Sequence, residues 1–224
     1  LNHLSWFDQV KINGHDVTTD LINDPRLYQK TEMKLFEPKI AKLSKNLLLN
    51  EYLYFYYYRE RALQSILNAK QTRGESVLAI NSATLEKLLT IDIDNNMEQA
   101  FHIFIDAYLT RENSYMTMEA KTERAITRKT PTLAEFIAEP DDGGYAGVAL
   151  RFINAVATGQ EIEMVLSIPN NGAIDGLLDT DIVEISCIID KNGAHPIKIG
   201  NVPEMQMNLI RNLKFYERSV VKAI

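Results

Sequence analysis

A run of aromatic residues places the strongest constraint on how this chain can fold. Between Tyr52 and Tyr58, within the segment NEYLYFYYYRERALQSILNAKQ, six of seven residues are aromatic. Good helix formers follow them, so the segment predicts a helix from about Glu51 to about Lys70. Aromatic side chains at consecutive positions point all round a helix, which leaves no face for water. We therefore expect this helix to be buried on most sides or to form the wall of a site.

The phenol hydroxyls of this run add a second expectation. Aromatic residues at helical spacing most often pack in a core. A buried hydroxyl nevertheless needs a hydrogen-bond partner, so at least one of these tyrosines is expected to face a polar cavity.

The remaining patterns alternate between helix and strand. Asn13-Gly14 predicts the turn of a hairpin over residues 4–18. Helical spacing and proline positions predict further helices at residues 38–47, 82–89, 95–110, 145–158 and 203–221, with Gly159 ending the fourth. β-branched runs predict strands at residues 163–168, 181–189 and 196–199. This order predicts an α+β fold of mixed helices with a mostly antiparallel sheet.

Residues 111–142 differ in composition from the rest of the chain. They are rich in Glu, Thr, Lys and Arg, and prolines and two aspartates lie near their end. We expect a variable insertion here, with a short helix at residues 133–138.

Composition excludes several classes of function. The net charge is −6 and no basic stripe is present, so a nucleic-acid partner is not expected. No apolar run approaches the roughly 20 residues that cross a bilayer, so we expect no membrane partner. The single cysteine, Cys187, excludes an internal disulfide framework and favours a cytoplasmic protein. Its alternation with Val183, Ile185 and Ile189 is typical of a core residue rather than a nucleophile.

Motif searches leave the chemistry open. The sequence has no P-loop, GxGxxG, GxSxG, CxxC or HExxH pattern. Three roles are open for His3: a metal ligand, a base, or a residue of a frayed terminus without a function. The stretch TRGE, residues 72–75, is expected to form the break after the aromatic helix. Arg73 within it could bind an anion or cap the C-terminus of that helix, which a cation stabilises. Asn170-Asn171-Gly172 and the segment around His195 are most simply turns.

Seven stretches, taken together, are similar to one family. In chain order they are LNHLSWF, NGHDVT, NEYLYFYYY, TRGE, GGYAGVAL, PNNGAIDGLL and DIVEISCIIDKNGAHPIKIGNVP. Through them the chain resembles the C-terminal half of family 4 glycoside hydrolases, and most of all the 6-phospho-β-glucosidase branch. The similarity runs through nearly the whole chain and is weakest across residues 111–142.

The resemblance implies a particular domain organisation. Residues 1–224 would form the substrate and metal domain, with a build like the C-terminal domain of lactate and malate dehydrogenases. In the family a Rossmann domain comes first and binds NAD. Because this sequence has no glycine-rich fingerprint, we expect the NAD-binding domain to be missing and the chain to begin at the junction between the two domains.

The resemblance also implies an unusual hydrolysis, by redox-assisted elimination instead of two carboxylates. Hydride passes from C3 of the sugar to NAD⁺, and the new carbonyl acidifies the proton on C2. A tyrosine removes that proton, the aglycone leaves from C1, water adds, and the hydride returns. A divalent metal, usually Mn²⁺, would bind the C2 and C3 oxygens as a Lewis acid.

Residue roles follow from matching the family's motifs one by one. His3 of the LNH motif matches a metal ligand, whose cysteine companion would lie outside this sequence; Cys187 does not match it. Tyr52 matches the first tyrosine of the family's aromatic helix, which is the catalytic base. Tyr56 or Tyr57 is the alternative if the register differs.

Arg73 and Asn2 match groups on the substrate side. Arg73 would lie near the sugar and the base, and Asn2 would contact sugar hydroxyls. Thr72 stands where some relatives carry an acid that supports the tyrosine. A free phenol has a pKa near 10, so a base that acts near neutrality requires positive charge nearby, from the metal and from Arg73.

These matches predict an NAD⁺- and Mn²⁺-dependent 6-phospho-β-glucosidase that acts on a phosphorylated disaccharide and assembles as a homodimer or homotetramer. The alternatives are a related family 4 enzyme for α-glucosides, α-galactosides or glucuronides, or an inactive oligomerisation module. We expect the 224-residue chain alone to be inactive, because hydride chemistry requires the cofactor.

Overall fold

The computed structural model describes residues 4–121, 129–139 and 144–224. The chain divides into two compact units, an N-terminal unit at Asn2–Glu139 and a C-terminal unit at Pro140–Ile224. Helices and small antiparallel sheets occur together, which confirms the predicted α+β class.

The N-terminal unit is mainly helical. Its short strands are β1 (Trp6–Phe7), β2 (Lys11–Ile12), β3 (His15–Asp16) and β4 (Leu48–Leu49). Its helices are α1 (Thr18–Asn23), α2 (Pro25–Lys30), α3 (Pro38–Leu43), α4 (Leu53–Tyr57), α5 (Arg59–Leu67), α6 (Arg73–Leu89), α7 (Met97–Asn113), α8 (Thr117–Ala120) and α9 (Leu133–Ala138), with a 3-10 turn at Glu32–Leu35.

The predicted hairpin is confirmed at its tip. Strands β2 and β3 pair in an antiparallel manner, and Asn13 and Gly14 both have positive φ, of 50° and 81°. That pair of angles suits the two-residue turns that match strand twist. Trp6 and Phe7 leave the hairpin, because β1 pairs with β4 instead.

Helix α3 is shorter than predicted. It ends at Leu43, and Lys45 and Asn46 follow with φ of 58° and 61°. Two consecutive left-handed residues cannot continue a right-handed helix, so Leu47 lies beyond it and leads into β4.

The predicted aromatic helix is divided at Tyr58 and ends at Leu67 instead of Lys70. Tyr58 has a ψ of 39°, outside the helical range, and separates α4 from α5. Its hydroxyl accepts a hydrogen bond from the Glu37 backbone N–H at 2.7 Å, a contact that local helix propensity does not contain. Of the six aromatic residues Tyr54 is buried, Tyr56 is exposed and the other four are half-buried. Most residues of α5 are exposed, so the predicted burial on most sides holds only in part and only for the aromatic half.

Helix α6 begins nine residues earlier than predicted. Thr72 is its N-cap: the Thr72 hydroxyl accepts from the Glu75 backbone N–H, and the Glu75 carboxylate accepts from the Thr72 N–H at 2.7 Å. The stretch TRGE, interpreted as the break after one helix, is therefore the start of the next. The Thr-x-x-Glu pattern of a capping box was visible in the sequence.

Residues 111–142 are described in part. Residues 111–113 end α7, α8 follows, and Leu133–Ala138 forms the predicted short helix behind a capping box at Thr132 and Glu135. Residues 122–128 and 140–142 lie outside the described residues. A variable insertion here stays a prediction.

The C-terminal unit is a three-stranded antiparallel sheet with two helices. Its elements are α10 (Gly144–Thr158), β5 (Ile162–Pro169), β6 (Ile182–Asp190), β7 (Gly193–Pro196) and α11 (Glu204–Ala223). The sheet order is β5-β6-β7. Gly159 ends α10 as predicted, with a φ of 73° and its N–H bonded to the Ala155 carbonyl at 2.8 Å.

Strand β7 comes earlier than the predicted strand at residues 196–199. The chain reverses over Lys191 and Asn192 alone, and Gly193 then pairs with Asp190. His195 therefore lies within the strand, opposite Ile188, and not in a turn. The turn at Asn171 and Gly172 is confirmed by their φ of 44° and 77°.

The core of the C-terminal unit is apolar. Val183, Ile185, Cys187 and Ile189 alternate along β6 and are buried, together with Ala155 of α10. Burial raises the pKa of the Cys187 thiol. Cys187 is thus a core residue, as predicted. In the described parts of the chain, no helix is both long and apolar enough to span a membrane.

Candidate active site

Arg73, predicted on the substrate side, lies in the first turn of α6. Its guanidinium donates to the Ser114 hydroxyl at 2.6 Å and to the Arg111 carbonyl at 2.7 Å. Both acceptors lie at the C-terminal end of α7, where backbone carbonyls lack partners within the helix. Arg73 therefore caps a helix C-terminus, although the helix is α7 and not the one preceding Arg73. Two of its five N–H donors are engaged in these contacts.

Tyr52, the predicted base, lies just before α4. Its backbone N–H donates to the Asn50 side chain at 3.0 Å. Its ring stacks on Phe55 and meets the edge of Tyr115, with ring centroids 6.4 Å and 6.1 Å away. Tyr52 is partly buried, so it is reachable and yet held on two sides.

Tyr115 links the two predicted residues. It directly follows Ser114, which accepts from Arg73, and its own ring contacts Tyr52. The structure therefore brings Tyr52 and Arg73 to the same short turn, residues 111–116. That turn lies in the region predicted to be a variable insertion.

A cavity of about 460 Å³ lies beside this turn. Its walls combine two arginines, one carboxylate, two phenols and one aliphatic side chain: Arg73, Arg111, Glu112, Tyr108, Tyr115 and Val77. Cations and phenols together suit a ligand that is rich in hydroxyls or carries negative charge.

The environment keeps Tyr115 protonated. Burial raises the pKa of the Tyr115 phenol, and a hydrogen bond with Tyr52 acts in the same direction. The carboxylates of Glu51 and Glu119 add to this effect, because negative charge disfavours a phenolate.

The alternative tyrosines have different surroundings. The Tyr57 oxygen accepts from Trp6 Nε1 at 3.2 Å and lies 3.0 Å from the hydroxyl of buried Ser44. Its hydroxyl thus joins three segments of the fold. Tyr56 is 43% exposed and packs edge-on against Tyr57. Tyr52 is the tyrosine of these three whose ring contacts a residue that lines the cavity.

Thr72 has a structural role in this fold. Its hydroxyl and backbone N–H form the capping box of α6 with Glu75. The Thr72 backbone N–H and hydroxyl both donate to the Glu75 carboxylate, at 2.7 Å and 2.9 Å, and these two hydrogen bonds lower the pKa of the Glu75 carboxyl. The capping box fixes the first turn of α6, the turn that carries Arg73.

The predicted metal ligand His3 and the predicted sugar contact Asn2 lie outside the described residues. Within residues 4–121, 129–139 and 144–224, no group of three or more His, Cys, Asp or Glu side chains could hold a metal ion. The described residues alone do not fit a complete metal site. A site at His3 stays a prediction.

His195 belongs to a surface contact. Its Nε2 lies 3.0 Å from Asp190 Oδ1 and the His195 side chain is about half exposed. The hydrogen bond with His195 lowers the pKa of Asp190, and a second bond from the Asn192 N–H acts in the same direction. This pair stabilises the β6–β7 hairpin.

Sequence reasoning missed the turn at residues 111–116. Ser114 and Tyr115 stand in a polar stretch where no hydrophobic period predicts contact with the aromatic helix. Tyr115 is the one available signal, since an aromatic residue in such a stretch often packs against other elements. Its partner could not be deduced, because the contact with Tyr52 spans 63 positions in the sequence.

Comparison with known proteins defines the class. The model of the family 4 glycosyl hydrolase C-terminal domain matches residues 1–224. The chain belongs to this family, which confirms the resemblance seen in the sequence.

Individual relatives are more distant. The chain is 23% identical over 223 residues to the 6-phospho-beta-glucosidase BglT of Thermotoga maritima, and 24% identical over 237 residues to a maltose-6'-phosphate glucosidase of Bacillus subtilis. Both alignments cover 100% of this chain and 44% of the relative. The chain thus spans less than half the length of these relatives.

Solved structures share the fold. The 6-phospho-beta glucosidase from Thermotoga maritima, solved with manganese, NAD+ and glucose-6-phosphate, has a TM-score of 0.58 at 21% identity. The structural alignment covers 100% of this chain and 43% of the Thermotoga maritima chain. A 6-phospho-alpha-glucosidase from gut microorganisms, solved with NAD and Mn2+, has a TM-score of 0.56 at 18% identity, with 46% of its chain covered.

Proposed function

We propose that this chain is the substrate domain of an NAD⁺- and Mn²⁺-dependent 6-phospho-β-glucosidase. Its membership of the family 4 C-terminal domain and its full-length similarity to BglT support this proposal. The resemblance implies three further parts of the proposal: a domain build like that of lactate and malate dehydrogenases, a cytoplasmic location and a homodimeric or homotetrameric assembly. A phosphorylated disaccharide is the proposed substrate.

One observation carries the proposal from the family to particular residues. The turn at residues 111–116 binds Arg73 through Ser114 and contacts Tyr52 through Tyr115, beside a cavity of about 460 Å³. A proposed base and a proposed substrate-binding cation, 21 positions apart in sequence, therefore share one support. Two surface residues with unrelated roles would not be expected to contact the same short segment.

In this proposal Tyr52 removes the proton on C2 of the sugar, after oxidation at C3 has acidified it. The aglycone then leaves from C1 by elimination. Arg73 holds oxygen atoms of the sugar with a planar set of donors. The capping box and Ser114 keep that guanidinium in place.

NAD⁺, when bound, would accept hydride from C3, and Mn²⁺ would polarise the C2 and C3 oxygens. His3 is the proposed metal ligand of this chain, and Asn2 is proposed to contact the sugar beside it. The other metal ligands and the NAD site are proposed to lie outside the described residues. The 224-residue chain by itself is accordingly expected to show no turnover with NAD⁺ and Mn²⁺ added.

Tyr52→Phe in the full-length protein tests the role of the base. General bases contribute about 10²- to 10⁴-fold, so exchange of the C2 hydrogen with deuterated water should fall by at least 100-fold while NAD⁺ binding is unchanged. Tyr56→Phe and Tyr57→Phe are matched controls that also test the register. Exchange at the wild-type rate in Tyr52→Phe would exclude Tyr52 as the base.

The anomer is a separate part of the proposal. Curated relatives of similar identity act on either anomer by name, including a 6-phospho-alpha-glucosidase of Leptotrichia buccalis at 23%. p-Nitrophenyl α- and β-glucosides, each with and without a 6-phosphate, separate the two. We expect turnover of the β-glucoside 6-phosphate, and turnover of the α form alone would assign the chain to the other branch.

A further inference from the structure

Tyr115 is held in place more firmly than a polar loop requires. Its N–H donates to the Glu112 carbonyl at 3.2 Å, and the next residue, Met116, is buried with a φ of 61°. A left-handed conformation is unfavourable for methionine and persists only where the surroundings enforce it. Helix α8 then starts with the Ala120 N–H on the Met116 carbonyl and packs against α5.

This turn presents Tyr115 to Tyr52. The two rings meet at 74° with centroids 6.1 Å apart, an edge-on contact that orients both rings. The side chains of Tyr115 and Tyr52 are also hydrogen-bonded to each other. Phe55 supports the other face of the Tyr52 ring, at 6.4 Å. Contacts at both the ring and the oxygen therefore limit the orientations open to Tyr52.

We propose that Tyr115 is the positioning residue of Tyr52: it donates a hydrogen bond to the Tyr52 oxygen and holds that oxygen ready to take a proton from the substrate. The inference rests on the proposed function, since Tyr52 is the proposed base. Tyr115 keeps its own proton throughout and transfers nothing.

The charges around Tyr115 favour this division of roles. Burial, the bond with Tyr52 and the carboxylates of Glu51 and Glu119 all raise the pKa of Tyr115. The other charged or titratable groups of the adjoining cavity are Arg73, Tyr108, Arg111 and Glu112. A donor that stays protonated stabilises a neighbouring oxygen whenever that oxygen becomes negative.

Loss of this donor should change a pH profile and not merely a rate. A hydrogen bond to a charged oxygen corresponds to a shift of about 1 to 2 pH units. The rate of C2 hydrogen exchange is measured as a function of pH. In full-length Tyr115→Phe, the pH range in which this rate increases should move to higher pH by that amount, with KM unchanged. Tyr216→Phe, which removes an exposed hydroxyl in α11, is the matched control and should reproduce the wild-type profile. A pH profile that keeps its wild-type position, even if the exchange rate is lower at every pH, would overturn the proposal.

A titration of the tyrosines supplies a second readout that needs neither substrate nor cofactor. With tyrosine labelled at ¹³Cζ, the Tyr115 signal is the one absent from Tyr115→Phe. We expect it to titrate well above pH 10 in the wild type and at lower pH in Tyr52→Phe, because the bond with Tyr52 is then lost. An unchanged titration in Tyr52→Phe would show that the two hydroxyls are not bonded.

The two readouts separate two kinds of failure. A wild-type protein without C2 exchange would contradict the proposed function, and the titration would still decide whether Tyr115 is bonded to Tyr52. Exchange that depends on Tyr52 but not on Tyr115 would keep the proposed function and refute this inference.

Discussion

The two units differ in which buried side chains make hydrogen bonds. In the C-terminal unit the buried cluster is apolar, with Val183, Ile185, Cys187 and Ile189 facing one side of β6. In the N-terminal unit buried aromatic residues also make hydrogen bonds. The Tyr28 hydroxyl donates to the Phe36 carbonyl at 3.0 Å, and burial raises the pKa of Tyr28 to about 12.

The difference bears on the candidate active site. Apolar packing is roughly proportional to the area buried and does not depend on direction, whereas a hydrogen bond fixes the orientation of one side chain. Tyr52 and Arg73 need fixed orientations for the proposed chemistry, and both belong to the unit whose aromatic side chains are joined by hydrogen bonds. In the C-terminal unit the buried side chains that make hydrogen bonds are instead Asn170, Asp181 and Lys214, none of them aromatic.

Removal of volume from the C-terminal core should have the largest effect. Ile189→Ala deletes three heavy atoms at a position that is 0% exposed, so we expect a loss of about 2 to 5 kcal/mol from the free energy of unfolding. Urea denaturation followed by circular dichroism measures it. Ile182→Ala is the control, because Ile182 lies in the same strand and is 49% exposed. Equal losses in both variants would contradict a tightly packed apolar core.

Removal of one oxygen from the N-terminal unit should have a smaller but clear effect. Tyr57→Phe leaves the Trp6 indole N–H and the buried Ser44 hydroxyl without this partner, which should cost about 1 to 3 kcal/mol. Trp6 is the single tryptophan, so its fluorescence reports both the unfolding and the local change. Tyr56→Phe should leave both signals as they are. A silent Tyr57→Phe would remove the contrast between the two units.

The cap of α6 should contribute less again. Thr72→Ala removes the hydroxyl that accepts from the Glu75 N–H, and the loss of an N-cap costs about 1 kcal/mol. Hydrogen exchange of the first backbone N–H groups of α6 should increase. Thr72→Ser keeps the oxygen and should restore protection. Faster exchange in α7 alone would show that Thr72 acts through Arg73 and not through the cap.

The smallest expected effect is the acid sensitivity of the β2–β3 hairpin. Bonds from the Thr18 N–H and hydroxyl, and from Gln9, lower the pKa of Asp16 to about 2. The unfolded chain therefore binds more protons between about pH 4 and pH 2, so this stabilisation is present above pH 4 and is lost as the pH falls through 2. Asp16→Asn should flatten the decrease of Tm over that range, and Gln9→Met should flatten it partly. An unchanged slope in Asp16→Asn would be the contrary result.

The sequence predictions were accurate where the pattern is local and less accurate where a distant contact decides the structure. The alternating run along β6 and the glycine after α10 were predicted nearly as they stand, because both patterns are local. The aromatic helix was predicted as one piece, yet Tyr58 divides it where its hydroxyl meets the Glu37 backbone, 21 positions away. The start of α6 was predicted late because TRGE was interpreted as a break, although its capping box is also local.

The candidate site was predictable only for residues within recognisable motifs. Tyr52 and Arg73 could be named from the stretches NEYLYFYYY and TRGE. Ser114 and Tyr115 could not, since they lie where the resemblance is weakest and their contacts join distant parts of the chain.

The sequence by itself determined the α+β class, the membership of the family and most of the C-terminal unit. Those features depend on residue spacing, which can be read along the chain. The tertiary structure alone decided that Arg73 caps α7 and that Tyr115 meets Tyr52. Such contacts depend on directional hydrogen bonds between segments that become neighbours only when the chain folds.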